Sequence, residues 1–179
     1  MVILTLLAVA VSLVSPVLPL RAQAAPIPEY RVKATFLFQF TQFVEWPDDA
    51  FRSLEAPLAI CILGDDPFGT FLDETVRDEK AQGHPISVTR YQRLEDVANC
   101  QLLFVSRKHA SRVRDIAEAH KNQSVLIVGD SDGFVDNGGI VQFVTEQNKV
   151  HLRINLNAAK GANLTISSKL LRLATLVER

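Results

Sequence analysis

An α/β fold is predicted for this chain: a single domain whose mainly parallel sheet is flanked by helices and followed by an antiparallel hairpin. Three observations carry the prediction. Short apolar runs alternate with helix-patterned stretches through the middle of the sequence, which is the signature of βαβ units. The runs are continuously apolar, as strands covered on both faces are. Beyond Gly138, two segments instead alternate apolar with polar residues around a polar turn, the pattern of a half-buried hairpin.

The elements follow in order. From Glu29 to Trp46, Val32, Phe36, Leu37, Phe40, Phe43 and Val44 fall at helical spacing, and Pro47 stops the helix. This phenylalanine-rich stripe is expected to face the core, with a partner-binding face as the alternative. Leu58–Leu63, Ile86–Tyr91, Leu102–Val105 and Val125–Val128 are the four expected core strands. Between the first two, a helix is expected from Pro67 to about Lys80, capped by Asp66 and carrying Phe68, Phe71, Leu72 and Val76 on one face. Arg93 to Asn99 is a shorter helical candidate, and Val113, Ile116, Ala117 and His120 mark a further helix. The hairpin joins Ile140–Thr145 to Val150–Asn155 through Glu146-Gln147-Asn148-Lys149. Ser167 or Ser168 then caps a last helix whose face is Leu170, Leu171, Ala174 and Val177.

With 179 residues the chain suits one core. Its 19 Lys+Arg against 20 Asp+Glu, with no basic cluster, remove the electrostatic footprint that nucleic-acid binding requires. Residues 2 to 20 carry no charge. Pro16 and Pro19 interrupt that segment, and Ala22-Gln23-Ala24 fits a cleavage site, so residues 1–24 read as a signal peptide and the mature domain as 25–179. No Lys or Arg precedes the apolar run, which a start codon misassigned from an upstream one would explain; a retained anchor is the alternative reading. Cleavage leaves no membrane span.

Export bears on Cys61 and Cys100. In an oxidising compartment a bridge is expected, with two unpaired buried cysteines as the alternative, and the separation of 39 excludes a CxxC redox motif. Closing such a loop is worth about 4 kcal/mol in the chain-entropy account. In a sheet ordered 2-1-3-4 the first and third strands are neighbours, so a bridge between them is geometrically reasonable.

The chemistry-bearing motifs are few. Gly64-Asp65-Asp66-Pro67-Phe68-Gly69 sits between strand and helix but brings two carboxylates and a proline where a phosphate loop needs free N–H groups, so it reads as a capped turn. Gly129-Asp130-Ser131-Asp132-Gly133 has the composition of a calcium loop, yet Phe134 and Val135 occupy positions that such a loop gives to a ligand and a glycine. His84, His109, His120 and His151 are scattered, and no Gly-x-Ser-x-Gly elbow is present. Neither an enzyme, a metal site nor a cofactor is expected. Ligands of open α/β sheets bind beyond the carboxyl ends of the strands, which here carry Gly64-Asp65, Ser106-Arg107-Lys108 and Gly129-Asp130. Gly64, Asp65, Ser106, Arg107 and Asp130 are therefore the candidate binding residues for a small polar ligand, the alternative being solvated loop residues.

Several stretches together resemble one family. They are Phe43-Val44-Glu45-Trp46-Pro47, Ile60-Cys61-Ile62-Leu63-Gly64-Asp65-Asp66-Pro67-Phe68-Gly69, Asn99 to Ser106, Gly133-Phe134 with Gly138 to Phe143, and Ile154 to Ala159 followed by Leu164 to Leu171. In this order they resemble the YfiR-like family of exported bacterial proteins, from Tyr30 to Ala174. The resemblance implies an α/β fold, a commonly dimeric state and a periplasmic regulator. Its implied role is repression of a membrane-bound diguanylate cyclase through that enzyme's periplasmic sensor domain, lowering cyclic di-GMP and biofilm formation. A sensor kinase is the other implied class of partner. The family's cysteine pair carries over onto Cys61 and Cys100. A second pair found in some members is missing here, so a redox role that depends on it does not carry over.

Overall fold

The computed structural model describes residues 28–178. The expected export segment, residues 1–24, lies outside them. The helices are α1 (Glu29–Phe43), α2 (Thr70–Val76), α3 (Val113–Ala119), α4 (Leu156–Gly161) and α5 (Ser168–Leu171). The strands are β1 (Val44–Glu45), β2 (Leu58–Leu63), β3 (Lys80–Ala81), β4 (His84–Tyr91), β5 (Leu102–Val105), β6 (Leu126–Gly129), β7 (Val141–Glu146), β8 (Lys149–Asn155), β9 (Thr165–Ile166) and β10 (Ala174–Val177).

Eight strands form one sheet in the order β10-β8-β7-β6-β5-β2-β4-β3, while β1 and β9 pair apart from it. Within it β4, β2, β5 and β6 are parallel neighbours, the expected 2-1-3-4 order. Every residue of β2, β5 and β6 is buried, because helices and loops cover both faces. One core layer holds Leu37, Phe40, Ile62, Phe104, Val128, Phe143 and Ile154. The other holds Leu63, Val105, Val113, Ile116 and Phe134 around the disulfide. The Phe134 ring fills the space beside Gly129 and Gly139, where a Cβ on either would overlap it.

Cys61 of β2 and Cys100, two residues before the neighbouring strand β5, are bridged, with Cα atoms 5.9 Å apart. The hairpin β7–β8 is antiparallel with Glu146 opposite Lys149. Its two loop residues, Gln147 and Asn148, both have positive φ (48° and 60°), as the tight turns that match strand twist require.

Four expectations are corrected. The first helix ends at Phe43, not Trp46, since Val44 is extended and starts β1. The helix expected from Pro67 begins only at Thr70. Asp66 Oδ1 accepts from the Phe68 and Gly69 amides (2.8 and 3.3 Å) and so caps a turn, and Gly69 at φ 55° breaks the chain direction before α2. Arg93–Asn99 yields only a 3₁₀ turn, Leu94–Asp96. The last helix stops at Leu171, and Ala174–Val177 becomes β10, parallel to β8. There the free edge of β8 offers hydrogen-bond partners, which outweigh the helical spacing of the apolar residues.

Candidate functional site

The chain reverses its winding direction at β2, with β4 on one side and β5 on the other. Such a switch point opens a crevice beyond the carboxyl ends of the strands. Gly64 leaves β2 at φ 92°, and its amide bonds to the Tyr91 carbonyl at 2.7 Å. A Cβ there would meet the Ser106 hydroxyl and the His109 ring, so the glycine permits the close approach of the loop after β5. The Asp65 amide donates to Ser106 Oγ at 3.1 Å, and Lys108 reaches the Asp65 carboxylate at 3.3 Å. His109 Nε2 is buried without a hydrogen-bond partner.

Asp130, just past β6, is the centre of the site. Its carboxylate is buried, and Oδ2 accepts from Lys33 Nζ at 2.7 Å and from the Tyr30 hydroxyl at 2.9 Å. Oδ1 pairs with Arg107 Nε at 3.3 Å. Lys33 is 0% exposed. It also pairs with Glu29, one helical turn away, which in turn accepts from Thr145 Oγ1 at 2.9 Å. Its ammonium lies 4.5 Å from the centroid of the Tyr30 ring. The network ties α1 to β6, to the loop after β5 and to β7.

The electrostatics follow from this packing. Burial pushes the Asp130 carboxyl up, but the Lys33 ammonium, the Tyr30 hydroxyl and the Arg107 guanidinium outweigh it and hold the group below the ordinary carboxylate range. Burial, and then the hydrogen bond to Asp130, push the Tyr30 phenol up to about 12. The Lys33 ammonium holds Glu29 below its usual value. Lys33 and Arg107 balance Asp130 and Glu29, so the cluster is neutral and its charges are spent on one another. It can clamp a helix and present Arg107, whose side chain is 66% exposed, to a ligand.

All five candidate residues from the sequence meet here. Asp65, Ser106, Arg107 and Asp130, with Tyr30 and Pro67, line a hollow of about 120 Å³, and Gly64 lets Ser106 approach it closely. Lys33, Tyr30 and Glu29 were missed. A signal was present: Tyr30, Lys33, Leu37 and Phe40 fall on one helical face, and a lysine on an apolar face needs a buried counter-charge. Leu37, Phe40 and Val44 of the expected stripe are buried, whereas Val32 and Phe36 are half-buried. The latter two line open hollows on either side of α1, of about 780 Å³ toward Val150 and about 540 Å³ toward Phe71. Among the described residues no group of side chains could hold a metal ion, and no helix is long and apolar enough to cross a membrane.

The fold and site define a disulfide-stapled, doubly wound α/β domain with a charge-locked crevice at its switch point. The family model described as YfiR/HmsC-like matches residues 30–175, and the chain belongs to that family. Its members are periplasmic regulators of diguanylate cyclase signalling rather than enzymes. A solved structure of a conserved domain protein from Vibrio cholerae O1 biovar El Tor is similar with a TM-score of 0.50 at 15% identity, over 66% of this chain and 54% of that one. This likeness is one of fold. The ABC domain from Streptococcus pneumonia in complex with L-Trp has a TM-score of 0.49 at 14% identity, over 67% of this chain and 55% of that one. The chain thus spans about half the length of the solved structures it matches. No curated protein matches it.

Proposed function

We propose that the protein is exported, loses residues 1–24, and as the mature domain 25–179 represses an inner-membrane diguanylate cyclase by binding its periplasmic sensor domain. Cyclic di-GMP and biofilm formation fall as a result. Family membership over residues 30–175 carries this reading, and the outer face of α1 offers a surface on which such docking could take place. Val32 and Phe36 stand between two apolar hollows there, on a helix whose inner face is clamped by Lys33. The test is cellular cyclic di-GMP in the native host with the gene deleted, restored, and restored as Val32→Glu. Deletion should raise it and restoration reverse the rise, while Val32→Glu should leave it raised at unchanged periplasmic protein level. No rise on deletion refutes repression, and full activity of Val32→Glu refutes the α1 surface.

A second reading, a small-solute sensor acting with a sensor kinase or another receptor, is favoured by the crevice itself. Gly64, Asp65, Ser106, Arg107 and Asp130 converge there, Arg107 is partly free, and the buried His109 Nε2 beside Gly64 lacks a partner. A polar solute bound there raises the melting temperature, and Arg107→Ala should remove that shift. A panel of polar solutes without any such shift refutes it. The two readings meet if the solute binds the free and partner-bound forms unequally.

A further inference from the structure

At the amino ends of the parallel strands, opposite the crevice, the chain ahead of β2, β5 and β6 and the turn after α4 enclose a hollow of about 380 Å³, within the range of small-molecule sites. Asn99, Asn122 and Asn163 line it, one from each of three separate connections, and all three are exposed. Each has a left-handed backbone, with φ of 56°, 63° and 54°. Among the described residues no group hydrogen-bonds to any of their side-chain carboxamides. Turn chemistry accounts for an asparagine at each position. It does not account for three turns bringing three unengaged carboxamides to one hollow.

The groups beneath them are fixed in place. Cys100, next to Asn99, is tied to β2 by the disulfide. Gln101 is 5% exposed. Its carboxamide accepts from the Ala59 amide at 2.9 Å and donates to the Ala50 carbonyl at 2.7 Å, while its backbone carbonyl accepts from Trp46 Nε1 at 2.9 Å. Those bonds hold the 3₁₀ turn Asp48–Ala50 against the start of β5. Phe51, the next residue, lines the hollow with its ring stacked on His84 at 3.8 Å. Charge at the site cancels: Asp49 and Arg52 both line it, and neither takes part in an ion pair among the described residues.

We propose that this hollow is a binding site for a neutral saccharide. A carboxamide presents a donor and an acceptor side by side, which matches two adjacent hydroxyls of a sugar ring. Three carboxamides from separate loops suit a ligand that carries hydroxyls around its perimeter. Phe51 supplies an apolar surface for the C–H face of the ring. A site whose one carboxylate and one guanidinium cancel gives an anion no advantage over an uncharged ligand. The fixed frame of Cys100, Gln101 and Phe51 lowers the ordering cost of binding. This inference stands apart from the receptor and crevice readings, because it uses neither α1 nor the carboxyl ends of the strands.

The left-handed backbones make the test clean. Glycine adopts that region freely, so Asn99→Gly, Asn122→Gly and Asn163→Gly remove the carboxamides without straining the turns. Maltose, cellobiose and N,N′-diacetylchitobiose are titrated calorimetrically into protein purified from cells expressing the full chain. At least one of them should bind saturably. The triple glycine variant should bind it at least about tenfold more weakly, at a melting temperature close to that of the wild type, and each single variant should weaken it by a smaller factor. Asn148→Gly, at a left-handed asparagine in the β7–β8 turn outside the hollow, and Arg107→Ala in the crevice should leave binding unchanged. Failure of all three disaccharides to bind overturns the proposal. So does binding that survives the triple variant, or binding lost with Arg107→Ala, which would move the sugar to the crevice. Glucuronate binding more tightly than the neutral sugars would overturn the neutral class.

Discussion

Replacing Asp130 by Asn keeps the shape of the side chain and removes the negative charge that faces Lys33. The ammonium, wholly buried, then retains Glu29 as its ionic partner and loses the carboxylate 2.7 Å away. Removing one member of a buried ion pair costs about 3–5 kcal/mol because the other charge stays desolvated. With Glu29 still in place the lower end applies, about 3 kcal/mol. A domain of this size loses roughly 3 °C of melting temperature per kcal/mol, so a fall of roughly 9 °C is expected at neutral pH. Thermal unfolding followed by circular dichroism measures it, together with Lys33→Met and the double variant. The double variant should be clearly more stable than the sum of the single losses predicts, since it leaves no stranded ammonium. The pH dependence has a definite sign. Asp130 has a folded-state pKa below its unfolded value, so the stability it contributes is present above the unfolded value near 4 and is lost as pH falls through the folded pKa. Asp130→Asn should flatten that acid limb. Single variants that melt within about 2 °C of the wild type, or losses that simply add, would refute the account of a buried interdependent clamp.

Tyr30 carries the opposite sign. Its folded pKa is raised to about 12, so its contribution is complete below the unfolded value near 10 and disappears as pH rises through 12. Tyr30→Phe should remove that alkaline loss, and a wild-type melting temperature that stays level from pH 10 to 12 would contradict it. Cys61→Ser combined with Cys100→Ser should lower stability by about 4 kcal/mol, read as a midpoint shift in urea unfolding, and should abolish repression through loss of fold; an unchanged midpoint would show that the bridge is unimportant. Gly129→Ala should cost about 1–3 kcal/mol, because its methyl group would overlap the buried Phe134 ring. A stability equal to wild type would show that the ring has room to move.

The parallel core was legible because β2, β5 and β6 are buried on both faces and so appear as unbroken apolar runs. Their order then fixed where Gly64, Asp65, Ser106, Arg107 and Asp130 would meet, since loops leaving the carboxyl ends of neighbouring parallel strands must converge. Lys33 was only half legible: its place on an apolar helical face calls for a buried counter-charge, but the partner Asp130 lies 97 residues away, and nothing local names it. β10 was hidden by ambiguity, since Leu170, Leu171, Ala174 and Val177 satisfy a helical spacing that holds only as far as Leu171. Helix α4 escaped notice because it spans six residues and depends on one cap, Asn155 Oδ1 accepting from the Ala158 amide at 2.9 Å.

The clamp on α1 also imposes an order on synthesis. A chain made from its amino end presents Lys33 long before Asp130 exists, and β6 takes its place between β5 and β7. Until then the ammonium is better off in water than in the groove it will occupy. The lock on α1 therefore closes only once the chain as far as Asp130 is in place, 97 residues beyond the lysine it holds.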